Sequence, residues 1–327
     1  LFPTTDDSGT VIDCLLGEAR RLGLHLHRGQ AAIRVERSGS GFVVSPKTGL
    51  PWRCDRLLLA TGSSPAGYRL AQTPGHSLVP PVPSLFTFTL ADPELRALAG
   101  VAVEGVALKL RLEEQPPLHQ RGPLLITHWG LSGPAILKLS AYGAIALHRQ
   151  HYQARLEINW LPQLSQEQVR QTLLELQQSQ GKRWVASFSP FPLPRRLWQY
   201  LAQHRAGLPP HLPWASLAKG QRQSLVDELT GGIYDIVGKG VFKEEFVTCG
   251  GVELREVNFK TLESRLCPGL YLAGEILNID GLTGGFNFQN AWTTGWLAGR
   301  AMAASCLERK TSAPDQTQGL ARSRQND

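Results

Sequence analysis

The stretch from Leu270 to Ala304 constrains this chain more than any other. Leu270-Tyr271-Leu272-Ala273 reads as a strand that runs into Gly274-Glu275. A loop with Asp280, Gly281, Gly284 and Gly285 follows, and Asn287 then opens a helix to about Ala304. A helix start leaves backbone N–H groups unsatisfied and carries positive partial charge. Glycines just before it let a ligand approach those groups closely. Glu275, directly after the strand, can accept hydrogen bonds from ligand hydroxyls. Together these parts suit a large ligand with hydroxyls and an electron-rich ring edge. A Gly-rich turn that merely joins strand to helix accounts for the same residues. Along the helix Ala291, Gly295, Gly299 and Ala303 recur every four residues, and such a stripe predicts close packing on a sheet.

The rest of the chain frames that segment. Ser8 is placed to cap a helix whose apolar positions are Ile12, Leu15, Leu16, Ala19 and Leu22, ended by Gly23. Leu24 and Leu26 alternate with His25 and His27, which predicts a short strand. Ile33, Val35 and Phe42 to Val44 continue as strands around the turn Ser38-Gly39-Ser40-Gly41. Leu57-Leu58-Leu59-Ala60 is apolar throughout, as in a strand buried on both faces, and stops at Thr61-Gly62. Such an ending marks the ligand edge of an α/β sheet, or an ordinary strand-to-loop turn. Four prolines between Pro74 and Pro83 suit a crossing between domains. Alternating segments through Thr87 and Thr89, Val101 and Val103, and Val106 to Leu112 predict a small antiparallel β unit. Three short helices follow. One has a capping box at Ser165 and Gln168, one contains Leu197, Trp198 and Leu201, and one contains Leu225, Val226 and Leu229. From Glu308 to Asp327 only Leu320 is large and apolar, so a disordered tail is expected from about residue 307.

Composition removes other classes. With 42% apolar and 19% charged residues, the 327-residue chain is globular. Its net charge of +7 comes from basic residues that read as scattered, which is weak support for a polyanion partner. The five cysteines form no C-x-x-C pair, so reduced thiols and a cytoplasmic location are expected. Pro134 to Leu147 is apolar but contains Lys138 and is too short to span a bilayer.

Several segments carry a resemblance. They are Gly250-Gly251-Val252, Glu256-Val257, Lys260-Thr261-Leu262-Glu263-Ser264 and Pro268 through Glu275. Asp280-Gly281-Leu282-Thr283-Gly284-Gly285-Phe286-Asn287-Phe288-Gln289 continues them, and Leu1-Phe2-Pro3-Thr4 and Thr127 through Leu137 agree. The chain resembles the BaiN/RdsA-type NAD(P)/FAD-dependent oxidoreductases, also called aminoacetone-oxidase-family FAD-binding enzymes. The resemblance covers most of residues 1–305. It implies an α/β fold: a split FAD/NAD(P)-binding Rossmann-like domain with an inserted β-barrel-like and helical domain. The implied parts are residues 1–75 and 249–306 for the flavin domain and 76–248 for the insertion, with its helical part near 163–235.

The implied cofactor contacts are the backbone of Ala32 at adenine and the strand end Ala60-Thr61-Gly62 beside the dinucleotide. Gly274-Glu275 would meet the ribityl chain, with Asp280 and Gly284 in the following loop and Gly285-Phe286-Asn287 facing the ring. The implied chemistry is hydride transfer between NAD(P)H and a small organic substrate through FAD. No aromatic–basic motif accompanies the net charge of +7, so no nucleic-acid partner is expected, nor a membrane one. His128, between Leu124–Ile126 and the turn from Gly130 to Pro134, is the candidate acid or base; fixing that turn is its other reading. Two features depart from the family. Its N-terminal G-x-G-x-x-G does not occur here, and Ala60-Thr61-Gly62 reaches Ala66-Gly67-Tyr68 through only Ser63-Ser64-Pro65. The competing expectation is therefore a truncated, non-catalytic remnant or an incomplete gene model that does not bind FAD stably.

Overall fold

The computed structural model describes residues 3–113, 115–240, 247–282 and 284–312. The chain divides into two compact units, residues 1–57 and 58–327. The first contains helix α1 (Gly9–Arg21) and an antiparallel sheet of β1 (Ala32–Ser38), β2 (Gly41–Pro46) and β3 (Trp52–Cys54) in that order. The helix forms where its periodicity predicts. Ser8 makes no capping bond, however, and Asp7 Oδ1 accepts the Gly9 N–H at 2.8 Å instead. No residue of α1 is buried, and Leu15 on its apolar side is 63% exposed. The strand expected at residues 24–27 is absent; Leu24 and Leu26 stand exposed in an open loop. Two alternating pairs are too few to hold a strand without a partner to hydrogen-bond.

The chain continues with β4 (Leu57–Leu59), α2 (Pro65–Gln72) and β5 (Leu78–Ser84). Only Leu59 of β4 is buried, so this strand is not covered on both faces. The chain next builds β6 (Phe88–Leu90), α3 (Pro93–Arg96), β7 (Ala102–Arg111), β8 (Leu118–Ile126) and β9 (Gly130–Ser132). After α4 (Pro134–Tyr142) and α5 (Ala144–Arg149) comes β10 (Ala154–Asn159). Three helices follow, α6 (Gln166–Ser179), α7 (Arg195–Tyr200) and α8 (Lys219–Gly231), and then β11 (Gly232–Lys239). Six of these strands close a barrel in the order β10-β11-β6-β9-β8-β7. Period-two patterning fills it: Val106, Leu108 and Leu110 are buried while Lys109 and Arg111 point outward. The two strands expected near 101–112 are one strand with a bulge between Val103 and Val106. Closure is tight at Gly130, where an added Cβ would lie 2.2 Å from the Phe88 carbonyl oxygen.

The helices pack on the barrel through a shared core and a buried polar cluster. Ser165 and Gln168 form the expected capping box of α6. Arg205 sits in a turn of π-helix directly after α7; its Nε lies 3.2 Å from Glu228 Oε1 and its Cζ 4.3 Å from the Tyr234 ring centre. Tyr234 donates to Glu228 at 2.5 Å, and Tyr200 donates to Asp92. Burial pushes the Glu228 carboxyl up, against the pull of Tyr234 and Arg205.

β12 (Val247–Val252) then pairs antiparallel with β5, Val247 opposite Ser84 and Cys249 opposite Val82. The barrel segment thus leaves and rejoins the rest of the unit through two adjacent strands. Prolines are tolerated in β5 because this sheet has only two strands, which leaves an edge without ladder bonds. β13 (Val257–Asn258), β14 (Glu263–Ser264) and β15 (Leu270–Leu272) complete a four-stranded sheet ordered β13-β14-β15-β4. Helix α9 (Gly284–Ser312) starts before Asn287 and runs past Ala304, so residues 307–312 of the expected tail are helical and residues 313–327 lie outside the described ones. The small-residue stripe is corrected too. Thr294 and Ala298 are buried, whereas an added Cβ at Gly295 or Gly299 would meet nothing within 4 Å.

Candidate functional site

The site is built where two strands end together. Ala273 N–H donates to the Leu59 carbonyl at 3.1 Å, which sets the C-terminal ends of β4 and β15 side by side. Ala60-Thr61-Gly62 and Gly274-Glu275 therefore leave the sheet side by side. Gly62 and Gly274 both adopt positive φ, +60° and +77°, which glycine allows without strain. At Gly67 an added Cβ would lie 1.9 Å from Thr61 Oγ1, so the Thr61 side chain folds back over α2. The Gly274 N–H donates to Thr294 Oγ1 at 2.8 Å, which fastens α9 to the strand end.

The two acids have partners that sequence reading missed. Glu275 Oε1 accepts the Thr248 N–H from β12 at 3.2 Å. Asp280 Oδ2 accepts the Ser84 hydroxyl from β5 at 2.9 Å and also a hydrogen bond from the Cys249 thiol. Burial, reinforced by the Asp280 charge and that bond, pushes the thiol up to about 11. Both acids thus reach the paired strands that lead to the barrel. From Asp280 the ties continue: the Asn287 amide brackets Gly281, accepting its N–H at 2.8 Å and donating to its carbonyl at 3.3 Å. A Cβ at Gly281 would lie 2.6 Å from Phe286 Cβ, so this glycine is required by packing. Gly285 and Phe286 are exposed at the helix start, and Thr283 lies outside the described residues.

One residue here carried no sequence signal. Tyr68 on α2 is buried, and its hydroxyl has no hydrogen-bond partner among the described residues. Burial first and the Glu275 charge second raise its pKa, which places the hydroxyl within the electrostatic reach of the strand-end carboxylate. A buried hydroxyl left without a partner costs about 1–3 kcal/mol. A buried, unpartnered hydroxyl within the electrostatic reach of a strand-end carboxylate fits a bound ligand rich in oxygen atoms.

Two residues stand elsewhere. His128 lies exposed in the β8–β9 hairpin turn, closed by Thr127 N to Gly130 O at 2.8 Å; no described hydrogen bond or ring contact joins it to the strand ends. Ala32 is the half-buried first residue of β1 in the other unit. A buried Ser264–His76–Glu256 row has the order of a hydrolytic triad, with 2.8 Å and 3.0 Å to the two ring nitrogens. The Ser264 oxygen, however, accepts the N–H groups of Leu266 and Cys267. The row is a structural clasp. Among the described residues no cluster could hold a metal ion, and no helix is long and apolar enough to cross a membrane.

A family model described as "HI0933-like protein barrel and H2TH domain" matches residues 82–247, close to where β5 and β12 bracket the barrel. The chain is 30% identical to the 3-dehydro-bile acid delta(4,6)-reductase of Clostridium scindens, over 93% of this chain and 75% of that protein. It is also 30% identical to the ribosomal RNA dihydrouridine synthase of Escherichia coli, over 92% and 73%. The Haemophilus influenzae protein of the latter name is 28% identical over 88% and 70%. The chain belongs to the HI0933-like (BaiN/RdsA) family, whose members are flavin-dependent oxidoreductases.

Proposed function

We propose that this chain binds FAD at the joined ends of β4 and β15 and transfers hydride from NAD(P)H to a ring-shaped organic substrate. The observations that support the reading are two strand ends that meet at Leu59 and Ala273, each followed by a positive-φ glycine, and the unpartnered Tyr68 hydroxyl within the electrostatic reach of Glu275. A bound flavin supplies the hydride chemistry itself, so the protein's part is to bind and orient. Ala60-Thr61-Gly62 and Gly274 would approach the cofactor with backbone. Tyr68 and the second oxygen of Glu275 would meet its hydroxyls, and Gly285-Phe286-Asn287 would face the ring. We take residues 1–75 and 249–306 as the flavin-binding part and 76–248 as the insertion. His128 is kept as the proposed acid or base.

The substrate is not chosen by identity, since a protein named for a bile acid and one named for ribosomal RNA match equally well. Both names describe reductive chemistry on a ring, and that is the class proposed. The test is the visible spectrum of the purified chain after incubation with FAD. A flavin band that survives gel filtration is expected, with weaker retention in Gly285→Val and Tyr68→Phe. A chain that never retains flavin, or a Gly285→Val variant that retains it as well as the parent, would sink this placement.

A further inference from the structure

One side of α9 presents a line of aromatic rings to solvent. Phe288, Trp292 and Trp296 recur every four residues, so they stand along one side of the helix, and they are 67%, 61% and 59% exposed. The rings of Phe288 and Trp292 lie 6.4 Å apart, and Arg300, the next step along the line, sits 4.6 Å over the Trp296 ring. The opposite side is fixed by Thr294 and Ala298, both buried, and by the bond between Thr294 and the Gly274 N–H. The aromatic line is therefore held outward. Gly295 and Gly299 beside it border open space, since an added Cβ there would meet nothing within 4 Å.

Charge narrows what can cover such a line. Residues 284–306 contain one charged side chain, Arg300, and no acid. One cation is too little to hold an anionic surface, and a cationic partner would find no acid to pair with. The complement is an apolar, aromatic line with a single cation at one end, and α9 is itself such a line. Two copies laid antiparallel and centred near Thr294 set Trp292 of each against Trp296 of the other. Arg300 of each then meets Phe288 of the other, a favourable contact of cation and ring. The two Arg300 residues start about 18 Å apart along the axis, beyond mutual repulsion at physiological salt. A parallel pair would set Arg300 on Arg300. Area agrees with a reversible pair. At about 150–250 Å² per aromatic side chain, three rings exposed to this extent offer about 250–450 Å² per copy. With Gln289, Gly299 and Arg300 added, two copies approach the roughly 1,200 Å² at which stable interfaces begin.

We propose that Phe288, Trp292, Trp296 and Arg300 form a self-association surface on which a second copy of this chain docks antiparallel through its own α9. The pairing goes beyond the reading of the ligand edge and does not depend on it. Association joins chains already folded, so the unfolding of dilute chain does not report it.

The test is sedimentation velocity of the full chain from about 1 to 100 μM. The average mass should rise from one chain to two and level off there. Trp292→Glu and Trp296→Glu should stay single over the whole range, and Arg300→Glu should weaken association about tenfold. Unchanged melting curves of the dilute variants exclude misfolding as the cause. A chain that stays single throughout, a Trp292→Glu variant that pairs as well as the parent, or a mass that climbs past two without levelling would each overturn the proposal. A chain that stays single but floats with phosphatidylcholine vesicles would assign the line to a membrane surface instead. Direction is tested at Cys306, an exposed free thiol. The antiparallel pair sets the two Cys306 residues about 36 Å apart along the axis. A short bis-maleimide should therefore give no Cys306–Cys306 peptide, and finding one would overturn the antiparallel arrangement.

Discussion

Helices α8 and α9 both lie against sheet or barrel, yet they use their apolar residues in opposite ways. On α8, Leu225, Val226 and Leu229 are fully buried, and Glu228 enters the polar cluster beneath the helical part. On α9 the residues turned inward are small, Thr294 and Ala298, while Phe286, Phe288, Trp292 and Trp296 are 59–67% exposed. An amphipathic stripe sends the large apolar side chains of α8 into the core. On α9 the close fit to the strand end at Gly274 admits only small side chains, so the aromatic ones point away. The insertion therefore owes its stability to side-chain burial. The region around the ligand edge owes its form to hydrogen bonds between side chains and backbone, such as Gly274 N–H to Thr294 Oγ1 and Gly281 N–H to Asn287 Oδ1.

The sharpest way to break this contrast is to empty the barrel. Phe88 is fully buried where the barrel closes on Gly130. Phe88→Ala should lower unfolding free energy by about 3–5 kcal/mol, through lost burial and the cavity left behind. Guanidinium denaturation followed by tryptophan fluorescence measures it. A loss under about 1 kcal/mol would mean that the barrel is not the stability-bearing part.

Next in size is the polar cluster that joins α8 to the barrel. Arg205→Met removes the cation and leaves the Glu228 carboxylate buried beside Tyr234. The expected loss is about 3 kcal/mol. The companion Glu228→Leu in the same chain should recover most of it, because the uncompensated charge is then gone. If the double variant is no more stable than the single, the cluster acts through packing rather than charge.

A smaller effect tests the ties around Asp280. Burial and the neighbouring Asp280 push the folded thiol of Cys249 up to about 11, above its ordinary value of 9.0. An acid whose pKa is raised by folding keeps its proton longer in the folded state. Its contribution is fully present below the unfolded value and is lost as pH rises through the folded one. Stability should therefore fall with pH between about 9 and about 11. Asp280→Asn removes the neighbouring charge, so Cys249 should react faster with iodoacetamide at mildly alkaline pH. Mass spectrometry of the Cys249 peptide measures it. An unchanged rate would mean that burial alone protects the thiol.

How far the fold could be read in the sequence follows the same division. Side-chain periodicity placed α1, α6, α7 and α8, the β1–β2 turn and the antiparallel barrel segment, because burial there writes itself into spacing. The capping box at Ser165 and Gln168 is local chemistry and forms as read. Features made by backbone contact were not legible. Residues 24–27 alternate like a strand but have no pairing partner. The stripe at Ala291, Gly295, Gly299 and Ala303 was chosen by residue size, while the packed line runs through Ala291, Thr294 and Ala298, the spacing by three and four that a helix on a sheet demands. At the candidate site the strand ends and helix start were visible in the sequence. The partners of Glu275 and Asp280 were not, because Thr248 and Ser84 are distant in sequence and are brought near by the β5–β12 pairing. Tyr68 has no motif at all.

The smallest effect expected is also the most discriminating. Trp292 is as large as any core side chain, so a view of α9 as an ordinary core helix predicts that Trp292→Ala costs several kcal/mol. At 61% exposed, with Thr294 and Ala298 making the inward contacts, Trp292 contributes little to folding of the chain as described. The expected change in unfolding free energy is within about 0.5 kcal/mol. A near-zero result would leave the aromatic side of α9 free of any folding role and place its inward fit entirely on small residues. A loss comparable to that of Phe88→Ala would show that this side is covered in solution, and the contrast between α8 and α9 would then be one of partner rather than of packing.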